Sequence, residues 1–129
     1  MAESASVVTR DYDDVTGIHK VTWAWTSDAS DGSCICETVK VKGYVQRVVT
    51  NPGATAPTAD YDIVINDEDG VDIMQGQLAN RHTSTSEQAW PLVGTIPVEV
   101  LVLGNLTPVI AAAGNSKIGT IVLYYKTFR

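Results

Sequence analysis

The sequence predicts an all-β fold, a single-domain β-sandwich or jelly-roll-like barrel of about seven or eight strands. Three observations carry that expectation: short segments alternate apolar with polar residues, turn residues punctuate them, and no long stretch has a helical period. Val21, Trp23 and Trp25 fall on one face of a segment, while Lys20, Thr22 and Thr26 fall on the other. Tyr61, Ile63 and Ile65 repeat the pattern against Asp60, Asp62 and Asn66. Successive side chains of a strand point to opposite sides of the pleat, so such segments are half-buried.

Residues 1–16 mix small and acidic residues, with Val7 and Val8 the only apolar pair, and read as an N-terminal arm or first edge strand. With Val7, Val8, Tyr12 and Val15 as its sizeable apolar residues, this segment is too poor to fold alone. It is expected to become ordered by docking on a neighbouring molecule, so that its removal spares the fold. Residues 17–129 read as the β-sandwich domain, beginning with a strand over Ile18–Thr26 and a polar loop over residues 27–33.

The segment from Thr38 to Thr50 alternates Val39, Val41 and Val45 with Lys40, Lys42 and Gln46, and Gly43 suggests a bulge or bend within it. Asn51-Pro52-Gly53 ends that strand, and a loop follows to Pro57. Tyr61 to Ile73 reads as a hairpin turning through Asp67-Glu68-Asp69-Gly70, where glycine supplies a positive φ. Ser84 and Glu87 fit a capping box, which predicts one helical turn before Pro91. Three apolar runs close the chain, Val98–Leu103, Leu106–Ala111 and Ile118–Lys126, joined by Gly104-Asn105 and Gly114-Asn115. The run Val100-Leu101-Val102-Leu103 is apolar on both faces, which implies burial on both sides or a subunit contact. Val21, Trp23, Ile63, Ile65, Val100, Val122 and Tyr124 are the expected core.

A chain of 129 residues forms one domain able to bury a core without disulfides or metals. Hydrophobic residues at 44% argue against wholesale disorder. Nine Lys and Arg against fifteen Asp and Glu leave a net charge of −6, which argues against a nucleic-acid surface because phosphate binding requires clustered cations. Met1-Ala2-Glu3-Ser4-Ala5 has neither the basic start nor the apolar stretch of a signal peptide. The longest apolar runs fall far short of the roughly 20 residues a membrane helix needs, so no membrane contact is expected.

The residues capable of chemistry each have a simpler account. Cys34 and Cys36 are one residue apart, where a bond would close a very tight ring between side chains pointing in parallel, and they read as reduced thiols of a cytoplasmically made protein. Asp60, Asp62, Asp67, Glu68, Asp69 and Asp72 suggest a calcium loop, but the EF-hand spacing fails for want of a bidentate acid, and a solvated hairpin tip suffices. A zinc site joining His19 or His82 to Cys34 and Cys36 lacks the usual Cys-x₂₋₄-Cys spacing and a fourth ligand. His19 shares a face with Val21, Trp23 and Trp25, which places it at the rim of the packed side.

Ser84 or Cys36 with His82 has no nucleophile-elbow glycines around it. Glu37 and Glu99, a carboxylate pair on paper, sit in strand-like segments with a solvated face. Trp23 and Trp25 share the Val21 face, which favours core over a carbohydrate- or base-stacking platform. The residues therefore predict no enzyme, no catalytic residue, no cofactor and no metal.

Four segments together resemble small proteins encoded among the virion structural genes of tailed bacteriophages. They are His19-Lys20-Val21-Thr22-Trp23-Ala24-Trp25-Thr26-Ser27-Asp28-Ala29-Ser30, Arg47-Val48-Val49-Thr50-Asn51-Pro52-Gly53, Tyr61-Asp62-Ile63 with Asn66-Asp67-Glu68-Asp69-Gly70-Val71-Asp72, and Gly119-Thr120-Ile121-Val122-Leu123-Tyr124-Tyr125. The resemblance implies a non-enzymatic virion protein, with a capsid decoration (cement) protein favoured. Neck, tail or fibre-base components and a carbohydrate- or receptor-binding β-module are the alternatives. It implies the major capsid protein or other virion proteins as partners, a homo-oligomer with a trimer favoured, and location in the virion. Val7, Val8, Tyr12, Leu101 and Leu103 are the candidate subunit or capsid contacts.

Overall fold

The structure, a computed structural model, describes residues 4–127, so the readings that fall on residues 1–3 and 128–129 lie outside the described residues. The described chain is all-β. Its ten strands are β1 (Ala5–Asp13), β2 (Ile18–Thr26), β3 (Cys34–Ile35), β4 (Val39–Pro52), β5 (Asp62–Asn66), β6 (Glu87–Ala89), β7 (Leu92–Val93), β8 (Ile96–Pro97), β9 (Val100–Ala111) and β10 (Ile118–Lys126). The count exceeds the expected seven or eight because β3, β7 and β8 are only two residues long, too short to leave an alternation in the sequence.

Eight strands make one curled sheet in the order β1-β2-β10-β4-β9-β3, with β5 added on β9 and β6 on β4, and β7 and β8 form a separate hairpin. All pairings are antiparallel. The curl brings the segment around β3 back toward β1, giving a half-barrel whose concave side is the core. There the seam is closed by side chains: Cys34 Sγ–H donates to the Ala5 carbonyl at 3.6 Å, and the Glu37 N–H donates to Ser6 Oγ at 2.7 Å. Among the described residues no backbone ladder joins β1 to β3.

The core is built from one face of each long strand. Val21, Trp23 and Trp25 of β2, Val41, Val45 and Val48 of β4, Ile63 and Ile65 of β5, Leu106 and Ile110 of β9, and Ile121 and Leu123 of β10 are all at most 1% exposed. Each such side chain stabilises the fold by about 1.5–3 kcal/mol relative to exposure. The buried indole of Trp23 keeps its N–H satisfied by donating to the Glu37 carbonyl at 2.8 Å.

Of the expected core, Val21, Trp23, Ile63, Ile65 and Val122 are buried, but Val100 and Tyr124 are only half-buried. In β10 it is Ile121, Leu123 and Tyr125 that face the core, opposite Trp23, Val21 and His19. Tyr124 therefore faces outward, where the Arg47 guanidinium lies over its ring at 5.3 Å.

Four local expectations are corrected. First, the irregularity in β4 is not at Gly43. Tyr124 pairs with Arg47 and Tyr125 with Val45, so Gln46 is the extra residue, and the buried positions change phase from Val45 to Val48 across it. Second, Gly104-Asn105 is not a turn but lies inside the continuous strand β9, which pairs with β4 through Leu106 and with β5 from Thr107 onward.

Third, the Tyr61–Ile73 hairpin has no returning strand. β5 pairs with β9 instead, and Asn66↔Asp72 is the bridge back to the segment beyond the turn. The turn itself forms as expected, with Gly70 at φ +79° and Asp67 Oδ1 accepting the Asp69 and Val71 N–H groups. Fourth, Ser84 caps no helix: His82 Nδ1 accepts the N–H groups of Ser84 and Thr85, while the Glu87 carboxylate, now in β6, accepts the His82 N–H. Local side-chain acceptors have displaced the helical turn.

Residues 5–13 are an edge strand of their own chain. β1 pairs with β2 along its whole length, Val8 packs against the core, and Arg10 Nη2 donates to the Tyr125 hydroxyl at 2.7 Å. The expectation that this segment needs a neighbour for order is overturned, because β2 supplies the pairing edge within the molecule.

Candidate functional site

The candidate contact residues fall in two places. Val7, Val8 and Tyr12 lie on the edge strand β1, whereas Leu101 and Leu103 lie on β9, with β2, β10 and β4 between them in the sheet. Val7 is 66% exposed and Tyr12 53%, while Val8 turns inward. On β9 the alternation buries Val102 and Leu106 and leaves Leu101 53% and Leu103 64% exposed. The both-faces-apolar run thus has one face in the core and one in solvent.

Leu101 and Leu103 form one wall of a groove whose other wall is the acidic turn, Asp67 to Asp69. Glu68 crosses from that turn to β9, where its Oε1 accepts the Asn105 N–H at 3.3 Å. The same oxygen occupies the space a side chain at position 104 would fill, so Gly104 is what lets the turn lie against the strand. The turn is therefore tied to β9 by this hydrogen bond. Asp72 Oδ1 likewise accepts the N–H groups of Ile65 and Met74, and its Oδ2 that of Gly76. Backbone donors satisfy these carboxylates, and the described residues contain no cluster of three or more His, Cys, Asp or Glu suited to a metal ion.

Sequence reasoning missed a further exposed apolar element, the β7–β8 hairpin. Gly94 takes φ +61° in its two-residue turn, and Val93 and Ile96 at its tip are 61% and 65% exposed. The signal was present as Val93-Gly94-Thr95-Ile96, a glycine-first two-residue turn between apolar residues.

Across β1, β2 and β10, the paired residues Tyr12, His19 and Tyr125 form a ladder of rings. Tyr12 and His19 have centroids 4.4 Å apart, and His19 stacks on Tyr125 at 4.6 Å, nearly parallel. Burial first, and the Arg10 guanidinium second, push the His19 pKa down. His19 thus occupies the rim position expected, engaged with the rings of Tyr12 and Tyr125.

Of the remaining paper pairs, Ser84 and His82 are brought together, with Ser84 Oγ 3.4 Å from His82 Nδ1 in an exposed turn where that nitrogen also accepts the Ser84 and Thr85 N–H groups. Cys36 is not joined to them: it is buried while His82 is exposed. Glu99 is engaged by Gln46 Nε2, which donates to it, and by Lys126 Nζ at 3.3 Å, and both interactions lower its pKa. Trp23 and Trp25 are in the core, leaving Trp90, 40% exposed, as the indole at the surface.

No protein-family model and no curated protein matches the sequence. Among solved structures, a cupin domain from Bordetella pertussis Tohama I is similar over 98% of this chain and 99% of that chain, with 12% identity and a TM-score of 0.36. A likeness that weak carries no argument about function.

Proposed function

We propose that this chain is a non-enzymatic structural protein that works through surface contact, a capsid decoration protein of a tailed bacteriophage. The major capsid protein is its partner and a homotrimer its working state. The observation that supports this reading most is the exposure of large apolar side chains on regular, rigid elements. Leu101 and Leu103 are held outward on β9, whose other face buries Val102, Leu106 and Ile110, and Val7 and Tyr12 are displayed on the edge strand β1, where Val8 alone packs against the core. Such side chains displayed on a framework suit burial against another protein. The resemblance of the four segments to virion proteins supplies the setting.

Purified protein added to shells lacking it tests the proposal. Saturable binding in fixed ratio to the capsid protein is expected, weakened by Leu101→Ser with Leu103→Ser. Recovery of the protein in a few copies at the neck or tail would overturn the decoration reading. Glycan binding by a monomer, with no shell binding, would overturn the virion reading altogether.

A further inference from the structure

The seam between β1 and β3 carries chemistry that the contact role does not use. Cys34 and Cys36 are free thiols, both buried, on the same side of the chain with their sulfurs 3.9 Å apart. Two residues of extended backbone separate their Cα atoms by about 6.6 Å at 3.3 Å per residue, inside the range of about 4.4–6.8 Å that a disulfide spans. The two side chains already converge, so closing the bond requires rotation of sulfurs rather than refolding of the strand.

The thiols also have an order. Cys34 Sγ–H donates to the Ala5 carbonyl of β1, so Cys34 Sγ faces Cys36 as an acceptor. A hydrogen bond from Cys36 favours the Cys34 thiolate and holds its pKa down, while the same bond and then burial push that of Cys36 up. Cys34 is therefore the nucleophile of the pair and Cys36 the resolving thiol. What covers them is the first part of β1, which is laddered to β2 from Ala5↔Thr26 to Val8↔Trp23 and meets the β3 side only through the two contacts that close the seam. An outermost strand laddered on one side only opens locally at lower cost than a strand inside the sheet.

We infer that Cys34 and Cys36 are an oxidisable dithiol, a modification site for small disulfides such as oxidised glutathione, and that its oxidation unlatches the start of β1 from β3. When β1 lifts, the Cys34 thiolate attacks one sulfur of the small disulfide, expelling a thiolate and leaving a mixed disulfide. Cys36 then gives its proton to solvent, and its sulfur attacks Cys34 Sγ and expels the second thiolate. The chain loses two electrons and two protons, and the small disulfide becomes two thiols. The product has no S–H to donate to Ala5, so one of the two seam contacts is gone. The tight ring keeps the bond easily reduced, which makes the change reversible.

The test treats the folded, full-length protein with excess oxidised glutathione and reads intact mass and deuterium uptake. The expected product has lost two hydrogens, maps to a 34–36 cross-link, reverts with dithiothreitol, and shows about tenfold faster exchange over residues 5–8. Cys36→Ser should stop at the mixed disulfide on Cys34. Absence of the cross-link after prolonged exposure overturns the dithiol, and a cross-link with unchanged exchange over residues 5–8 overturns the latch.

Discussion

A Cβ atom built on Gly43 would lie 2.1 Å from the carbonyl oxygen of Lys126, so β4 and β10 meet where there is no room for any side chain. The obstructing atom is backbone, which cannot rotate aside. Gly43→Ala should therefore push the end of β10 away from β4 and cost about 1–3 kcal/mol, the range for overpacking. Gly17→Ala is the control: φ there is +74° but nothing lies within 4 Å, so the cost is conformational and confined to the β1–β2 turn. Denaturant midpoints give both costs, and amide exchange at Tyr125 and Lys126 should rise only in Gly43→Ala. An unchanged midpoint for that variant would contradict the close approach.

Glu68 and Gly104 should be energetically coupled, because the carboxylate occupies the space that the absent side chain leaves. Glu68→Ala removes the acceptor of the Asn105 N–H and should cost about 0.5–1.5 kcal/mol. Gly104→Ala evicts the same carboxylate, so the double variant should be less destabilised than the sum of the single ones. A double-mutant cycle reads this directly, and simple additivity would contradict it.

Much of this architecture was legible in the residues, and the failures have physical causes. Ile18–Thr26 and Ile118–Lys126 were correctly bounded because alternation and turn residues agree at both ends. Alternation fixes which residues share a face, but in a run apolar on both sides it does not say which face is the core, so Tyr124 reads as inward. Gly43 draws the expected β4 bulge to itself, although the change of phase between Val45 and Val48 marks Gln46. Gly104-Asn105 read as a turn because the carboxylate of Glu68, distant in sequence, is what accounts for the glycine. The both-faces pattern of Val100–Leu103 leaves Leu101 and Leu103 exposed on β9, whereas the Val93–Ile96 hairpin is marked only by its glycine-first turn, because two-residue strands leave no alternation.

His19 makes stability depend on pH. Its pKa is lower in the folded chain than in the unfolded one, chiefly through burial, with the Arg10 charge adding to it. The unfolded state therefore binds more protons between the two values. Stability is full above about pH 6.5 and is lost as pH falls from there toward the folded pKa. The thermal midpoint should fall from about pH 7 to pH 5.5, and His19→Gln should flatten that slope. Equal slopes for the two proteins would contradict the role given to the ring ladder.

Surface and core variants should separate assembly from folding. Val7→Ser, Leu101→Ser and Leu103→Ser remove exposed side chains and should each change stability by no more than about 0.5 kcal/mol. Trp23→Ala empties a fully buried site and should cost about 3–5 kcal/mol. If the proposed trimer forms through these side chains, sedimentation of the serine variants should show its loss with an unchanged melting curve. A serine variant that unfolds as readily as Trp23→Ala would mean its side chain belongs to the core instead.

The most direct test of the contact role is the copy number and position of the protein in a reconstruction of the assembled particle. The account predicts symmetric trimers on the head shell, in fixed proportion to the capsid protein, with Leu101 and Leu103 or Val7 and Tyr12 buried at the contacts. Particles whose shells lack the protein, or shells that keep full occupancy when Val7, Tyr12, Leu101 and Leu103 are all changed to serine, would contradict it.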